Sequence, residues 1–196
     1  NVKESDHVIL LMPGSRRQEI KLILPEMLSA VKVLSVKRPA KFFLPVADNV
    51  DESEILRQVR AANVDVTLTK FYRYDLMGIA DAAMATSGTV VLEAALMNLP
   101  CVVLYKMAPL NFFIGKLLVD IKFFSLPNIL ADEKILPELL QDEVTPEKIS
   151  SEVIKLLDNR AEVLKNLQAA CAKLGKPGAA SRVAQKILET AGGDNF

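Results

Sequence analysis

Between an apolar run and a helical pattern lies Pro13-Gly14-Ser15-Arg16-Arg17-Gln18-Glu19. Gly14 permits a tight turn, Ser15 is placed to cap the helix, and Gln18 stands at the reciprocal position of a capping box. Free backbone N–H groups and the positive end of a helix would face an anion here. Arg16 or Arg17 adds a guanidinium fork suited to phosphate, and a charge-assisted hydrogen bond of this kind contributes about 1.5–3 kcal/mol. This is the chemistry of a diphosphate clamp, although a plain Ser15 cap with two solvated arginines accounts for the same residues.

A second turn, Thr86-Ser87-Gly88-Thr89-Val90-Val91-Leu92-Glu93, again passes from strand to helix through hydroxyl residues and a glycine. Glu93, one turn into that helix, can accept two hydrogen bonds from a ribose diol. A carboxylate near a helix start also stabilises the helix dipole, by roughly 0.3–1 kcal/mol. Its place beside a glycine turn on a second strand favours the ligand. Neither turn is a P-loop or a G-x-G-x-x-G, which argues against kinase and dehydrogenase chemistry. The single histidine, His7, reads as a solvated residue at a strand entrance, there is no Asp-x-Asp pair, and neither cysteine has a metal-ligand neighbour. No metal and no cofactor are expected.

The elements that must position these turns alternate. Val8–Met12, Phe42–Val46, Val64–Thr69, Ala82–Thr86 and Cys101–Tyr105 read as strands, their short apolar runs suiting a parallel sheet covered on both faces. A helix begins after Ser15 with a stripe of Ile20, Leu24, Met27, Leu28, Val31 and Leu34, interrupted by Pro25, where a kink or break is expected. Further helices are expected over Asp51–Ala62, Tyr74–Ala80 and Thr89–Met97. This order predicts an α/β, Rossmann-like doubly wound parallel sheet over residues 1–145, with ligands bound outside the carboxyl ends of its strands. Over residues 146–196 the strands cease and amphipathic helices are expected to pack on the same domain.

At 196 residues and 51% hydrophobic composition, the chain can bury a substantial core without disulfides. Lys plus Arg and Asp plus Glu both total 24, and the absence of a long basic run argues against nucleic acid. Cys101 and Cys171 read as reduced, buried packing residues, which suits a cytoplasmic protein. No apolar run is long enough to span a bilayer, and Asn1–His7 has no signal-peptide pattern. The segment from Tyr105 to Phe124 interleaves Phe and Leu with Lys106, Lys116 and Lys122. It reads as a core helix or as a peripheral membrane surface.

Taken in order, Leu-Met-Pro-Gly-Ser-Arg (Leu11 to Arg16), Ser-Gly-Thr-Val-Val-Leu-Glu (Ser87 to Glu93), Pro-Cys-Val-Val-Leu-Tyr-Lys-Met (Pro100 to Met107) and Ser-Leu-Pro-Asn-Ile-Leu (Ser125 to Leu130) closely resemble the lipid A disaccharide synthase family. The resemblance covers the carboxyl-terminal half of that family only, and the abrupt start before Val8 suggests a fragment. It implies one half of a GT-B glycosyltransferase, the half that holds the UDP-sugar donor. Gly14, Ser15 and Arg16 fall on the family's first glycine turn, Ser87, Gly88 and Thr89 on its phosphate turn, Glu93 on its ribose position, and Asn128 on its S-L-P-N loop near the sugar.

The implied reaction is inverting and metal-independent. It transfers 2,3-diacylglucosamine from UDP to 2,3-diacylglucosamine 1-phosphate, giving lipid A disaccharide 1-phosphate and UDP. Arg16 is expected to make the largest contribution to leaving-group stabilisation. The general base is expected in the amino-terminal half, so no catalytic residue is named here. Implied partners are the UDP-sugar, the acylated acceptor, the missing amino-terminal domain and the inner face of the membrane, with room for a homodimer or helix swapping. The loop Lys70–Arg73 is the candidate for uracil. Two alternatives stay open: another UDP-N-acetylglucosamine-using GT-B enzyme, and a non-catalytic nucleotide-binding or interaction module.

Overall fold

A computed structural model describes Lys3, Asp6–Met107 and Lys122–Gly192 of the chain. Six strands, β1 (His7–Met12), β2 (Ala40–Pro45), β3 (Val66–Thr69), β4 (Ala82–Thr86), β5 (Cys101–Tyr105) and β6 (Glu138–Leu140), form one sheet. Its order is β3-β2-β1-β4-β5-β6, and all pairs are parallel, with Met12 opposite Ala85 and Thr86 opposite Leu104. Between the strands run the helices α1 (Arg17–Lys37), α2 (Glu52–Ala62), α3 (Arg73–Ile79), α4 (Thr89–Leu96) and α5 (Leu126–Ala131). After the sheet come α6 (Pro146–Asp158), α7 (Arg160–Ala172) and α8 (Ala179–Gly192). The doubly wound architecture is as the strand-helix alternation predicts.

Successive strand residues point to opposite faces, so the sheet feeds two cores. On one face Ile9, Leu11, Phe42, Leu44, Met84, Val102 and Leu104 meet α1, α2 and α6 through Ile23, Leu24, Met27, Ile55 and Val153. On the other, Val8, Leu10, Met12, Ala83, Ala85, Cys101 and Val103 meet α3, α4 and α7 through Met77, Val91, Ala95 and Leu167. The central strands β1, β4 and β5 are therefore buried on both sides, which explains why they read as uninterrupted apolar runs.

Several sequence expectations need correction. Pro25 does not break α1, which runs without interruption over 21 residues. Pro25 lies on the exposed face, where the Lys21 carbonyl left without an N–H partner can be hydrated. Cys101 is fully buried, and burial pushes its thiol up to about 12, but Cys171 is only partly buried. Of the carboxyl-terminal helices, α6 and α7 pack on the domain. Residues 179–191 of α8 are exposed throughout, including Val183, Ile187 and Leu188. An amphipathic stripe in sequence specifies a face to be covered without specifying what covers it. Among the described residues no helix is long and apolar enough to cross a membrane. Residues 108–121, the greater part of the segment read as a core helix or membrane surface, lie outside the described residues.

Candidate functional site

The sheet order reverses at β1 and β4: the chain leaves β1 toward β2 and β3 on one side and continues from β4 toward β5 and β6 on the other. A crevice opens outside the carboxyl ends of two such strands, where open α/β sheets bind ligands. Both glycine turns singled out in the sequence stand there, because Met12 and Ala85 are paired at the strand ends. Gly14 has φ +97°, and an added Cβ would meet Glu19 Oε2 at 2.7 Å and the Thr86 side chain at 3.6 Å. This position favours glycine for its left-handed conformation, while the second turn lies within ordinary van der Waals contact. The Asn49 amide donates to the Ser15 carbonyl at 3.0 Å, tying the turn to the loop before α2.

The expected capping box does not form. Arg16, not Ser15, is the N-cap residue of α1, and no side chain caps the helix. Gln18 is exposed, while Glu19 reaches back over Gly14 and accepts from Arg16 Nη1 at 2.8 Å. The uncapped N–H groups of the first turn are available to an anion. Arg16 is 82% exposed, and only one of its five N–H donors is committed to Glu19 in this geometry.

The second turn is anchored from both sides. Ser87 N–H donates to the Leu104 carbonyl at 2.9 Å, continuing the ladder between β4 and β5, and Ser87 Oγ donates to the Phe124 carbonyl at 2.8 Å. Gly88 and Thr89 are exposed, and α4 likewise starts without a side-chain cap. Gly88 is extended, with φ 164°, and nothing lies within 4 Å of an added Cβ. Neither backbone strain nor crowding within the chain demands glycine here; the open space is where a ligand would approach the α4 N-terminus. Gly88→Ala is therefore expected to leave thermal stability within about 0.5 kcal/mol of the original while weakening binding of a diphosphate. Equal loss of stability and binding would show that the glycine serves the fold.

Glu93 is the fifth residue of α4, beyond its first turn, so the helix-dipole explanation for this carboxylate weakens. Its Oε2 accepts from Tyr74 OH at 3.1 Å and forms an ion pair with Arg73 Nη2, also at 3.1 Å. The neighbouring Phe71 and Tyr72 are exposed, so the Lys70–Arg73 loop and Glu93 form one surface at the carboxyl edge of the sheet.

Asn128 is placed differently from the expectation. It is fully buried; its amide donates to the Leu136 carbonyl and Glu138 Oε1, and its Oδ1 accepts from the N–H groups of Ile135 and Leu136. With these bonds made, its side chain is committed to holding the loop around α5 and offers nothing to a sugar. The residue that sequence reasoning missed is Glu138 in β6. This buried carboxylate accepts from Phe124 N–H, Ser125 N–H, Ser125 Oγ and the Asn128 amide. Because Ser87 donates to the Phe124 carbonyl, Glu138 holds the segment against which the phosphate turn rests. A charged residue between Pro137 and Leu139, ten residues after Asn128 of the Leu-Pro-Asn motif, was the available signal.

A cleft of about 280 Å³ adjoins the first turn, lined by Ser15, Arg17, Ile20, Asn49, Asp51 and Glu54 among others. A larger groove, about 650 Å³, separates α1 from α2 and touches neither Gly14 nor the Ser87 turn. Its lining of Arg17, Lys21, Arg57 and Glu54 carries both signs of charge. The crevice at the strand ends therefore remains the better candidate, on topology and on its uncapped helix starts.

Comparison with known proteins bears on the fold and on the family. Among solved structures, the chain superposes on the UDP-GlcNAc 2-epimerase of Neisseria meningitidis bound to UDP-GlcNAc with a TM-score of 0.64 at 14% identity, covering 96% of this chain and 46% of that one. On MurG of Acinetobacter baumannii the TM-score is 0.60 at 17% identity, covering 95% and 50%. These likenesses establish the fold alone, one half of a GT-B fold. The lipid-A-disaccharide synthase of Myxococcus xanthus is 40% identical over 185 residues, which are 92% of this chain and 48% of the relative. That of Geobacter metallireducens is 38% identical over 192 residues, or 96% and 50%. The chain thus spans about half the length of the curated relatives it matches. Since the profile of the family described as lipid-A-disaccharide synthetase also matches residues 1–188, the chain belongs to that family.

Proposed function

We propose that this chain is the donor-binding half of a metal-independent, inverting glycosyltransferase that joins UDP-2,3-diacylglucosamine to 2,3-diacylglucosamine 1-phosphate. The observation that carries the reading is the meeting of two helices without side-chain caps, each preceded by a glycine-containing turn, at the switch point between β1 and β4. Their N-termini and Arg16 would stabilise the negative charge that grows on the leaving diphosphate, which is where transition-state stabilisation acts. Gly14 and Ser15 shape the first turn; Ser87, Gly88 and Thr89 shape the second. Glu93 receives the ribose, and Phe71 and Tyr72 lie beside it on the surface assigned to uracil. Asn128 acts through the loop it holds and not through contact with the sugar.

The general base and the acceptor site are assigned to the half of the relatives' length that this chain does not span. The acylated substrates make the membrane surface a partner, with the protein on its cytoplasmic side. The chain alone is expected to bind UDP and to form no disaccharide from the two substrates. Disaccharide formation by the chain alone, followed by chromatography of radiolabelled acceptor, would contradict this division of labour. Conversion of UDP-N-acetylglucosamine to its 2-epimer would instead select the other UDP-sugar enzyme.

A further inference from the structure

We propose that Arg73 and Tyr74 are positioning residues for Glu93, and that through it they set a preference of the nucleotide site for ribose over deoxyribose; this rests on the donor reading above. The hydrogen bonds form a directed chain. Arg73 Nη2 donates to Tyr74 OH at 3.0 Å, and Tyr74 OH donates to Glu93 Oε2 at 3.1 Å. Arg73 Nη2 also approaches Glu93 Oε2 at 3.1 Å, and its guanidinium lies 4.8 Å from the centre of the Tyr74 ring. Since the tyrosine oxygen already accepts from Arg73, its proton is directed to the carboxylate.

The tyrosine hydrogen bond and the arginine ion pair fall on one carboxylate oxygen. Glu93 Oε1 has no partner among the described residues, and the side chain is 31% exposed. Pinning Oε2 fixes the carboxylate plane and presents Oε1 in a constant direction. Such preorganisation lets a hydroxyl donor bind without a further ordering cost. The chain reaches this arrangement through Tyr72, which starts α3 in the left-handed region at φ 67°, an uncommon conformation for an aromatic residue and one that concentrates at ligand sites.

A purely stabilising role does not account for the cluster. Arg73 is 45% exposed, and ion pairs this open to solvent contribute little to folding. Variants of Arg73 and Tyr74 are therefore expected to remain folded. A site built to receive a hydroxyl discriminates against the analogue that lacks it, because its acceptor is then left unpaired.

The test is calorimetric titration of the chain with UDP and with 2′-deoxy-UDP, in chelator, using the original protein, Tyr74→Phe, Arg73→Leu and Arg73→Lys. The original should prefer UDP by roughly 10-fold or more. In Tyr74→Phe and Arg73→Leu the ratio should fall to within about 3-fold, the loss falling on UDP, with Arg73→Lys between them. An unchanged ratio in both Tyr74→Phe and Arg73→Leu overturns the proposal while leaving the donor reading intact. So does an original protein that binds both nucleotides equally. Failure of the original to bind UDP removes the donor reading and this inference with it.

Discussion

Glu138→Ala is expected to destabilise the fold by about 3–5 kcal/mol, because it leaves several buried donors without an acceptor. Phe124 N–H, Ser125 N–H, Ser125 Oγ and the Asn128 amide all converge on this carboxylate, and Ser125 and Asn128 have no exposure through which water could replace it. At about 2–4 °C per kcal/mol for a chain of this size, the melting temperature should fall by roughly 10 °C. Glu138→Gln keeps one acceptor oxygen and should cost less, about 1–2 kcal/mol. The effect also reaches the site, since freeing Phe124 removes the acceptor of Ser87 Oγ. Urea unfolding of the two variants measures the first consequence, and UDP affinity of Glu138→Gln measures the second. A loss below 1 kcal/mol in Glu138→Ala would show that the loop around α5 is held by its apolar contacts instead.

Gly14→Ala should impair folding and binding together. At φ +97° a side chain is strained by about 1–3 kcal/mol whatever its surroundings. The new Cβ would also approach Glu19 Oε2 to 2.7 Å. That oxygen ends a flexible side chain and can move away, so the contact adds little to the strain. Its movement disrupts the pairing with Arg16 Nη1, and the Cβ enters the crevice beside Thr86. UDP affinity should fall at least roughly 10-fold, the equivalent of one lost charge-assisted bond. Gly88→Ala, whose Cβ meets nothing, should lose binding alone. The contrast between these two glycines separates a residue the fold requires from one that only a ligand requires.

Both turns were legible in the sequence because each combines a glycine with the end of an apolar strand and the start of a helical stripe, a local pattern. The sheet faces were legible for the same reason: runs such as Val8–Met12 have no polar residue because both sides are covered. What escaped detection is non-local or short. β6 has three residues and turns a carboxylate inward, so no rule based on apolar runs finds it. The pairing of Glu93 with Tyr74 spans 19 positions and depends on how α3 lies against α4. Ser15 failed as a cap because the left-handed Gly14 turn places Arg16 at the helix start and brings Glu19, one residue beyond the expected Gln18, back over the glycine. The Asn128 amide can both donate and accept, but only its surroundings show that the fold uses all of that capacity.

Titration of the chain with UDP by isothermal calorimetry, in chelator, tests the central claim most directly. The account predicts saturable one-to-one binding without added metal, weakened in Arg16→Ala, Glu93→Ala and Gly88→Ala while these variants melt close to the original temperature. A chain that unfolds cooperatively, and so is folded, yet shows no saturable binding of UDP up to millimolar concentration would contradict it.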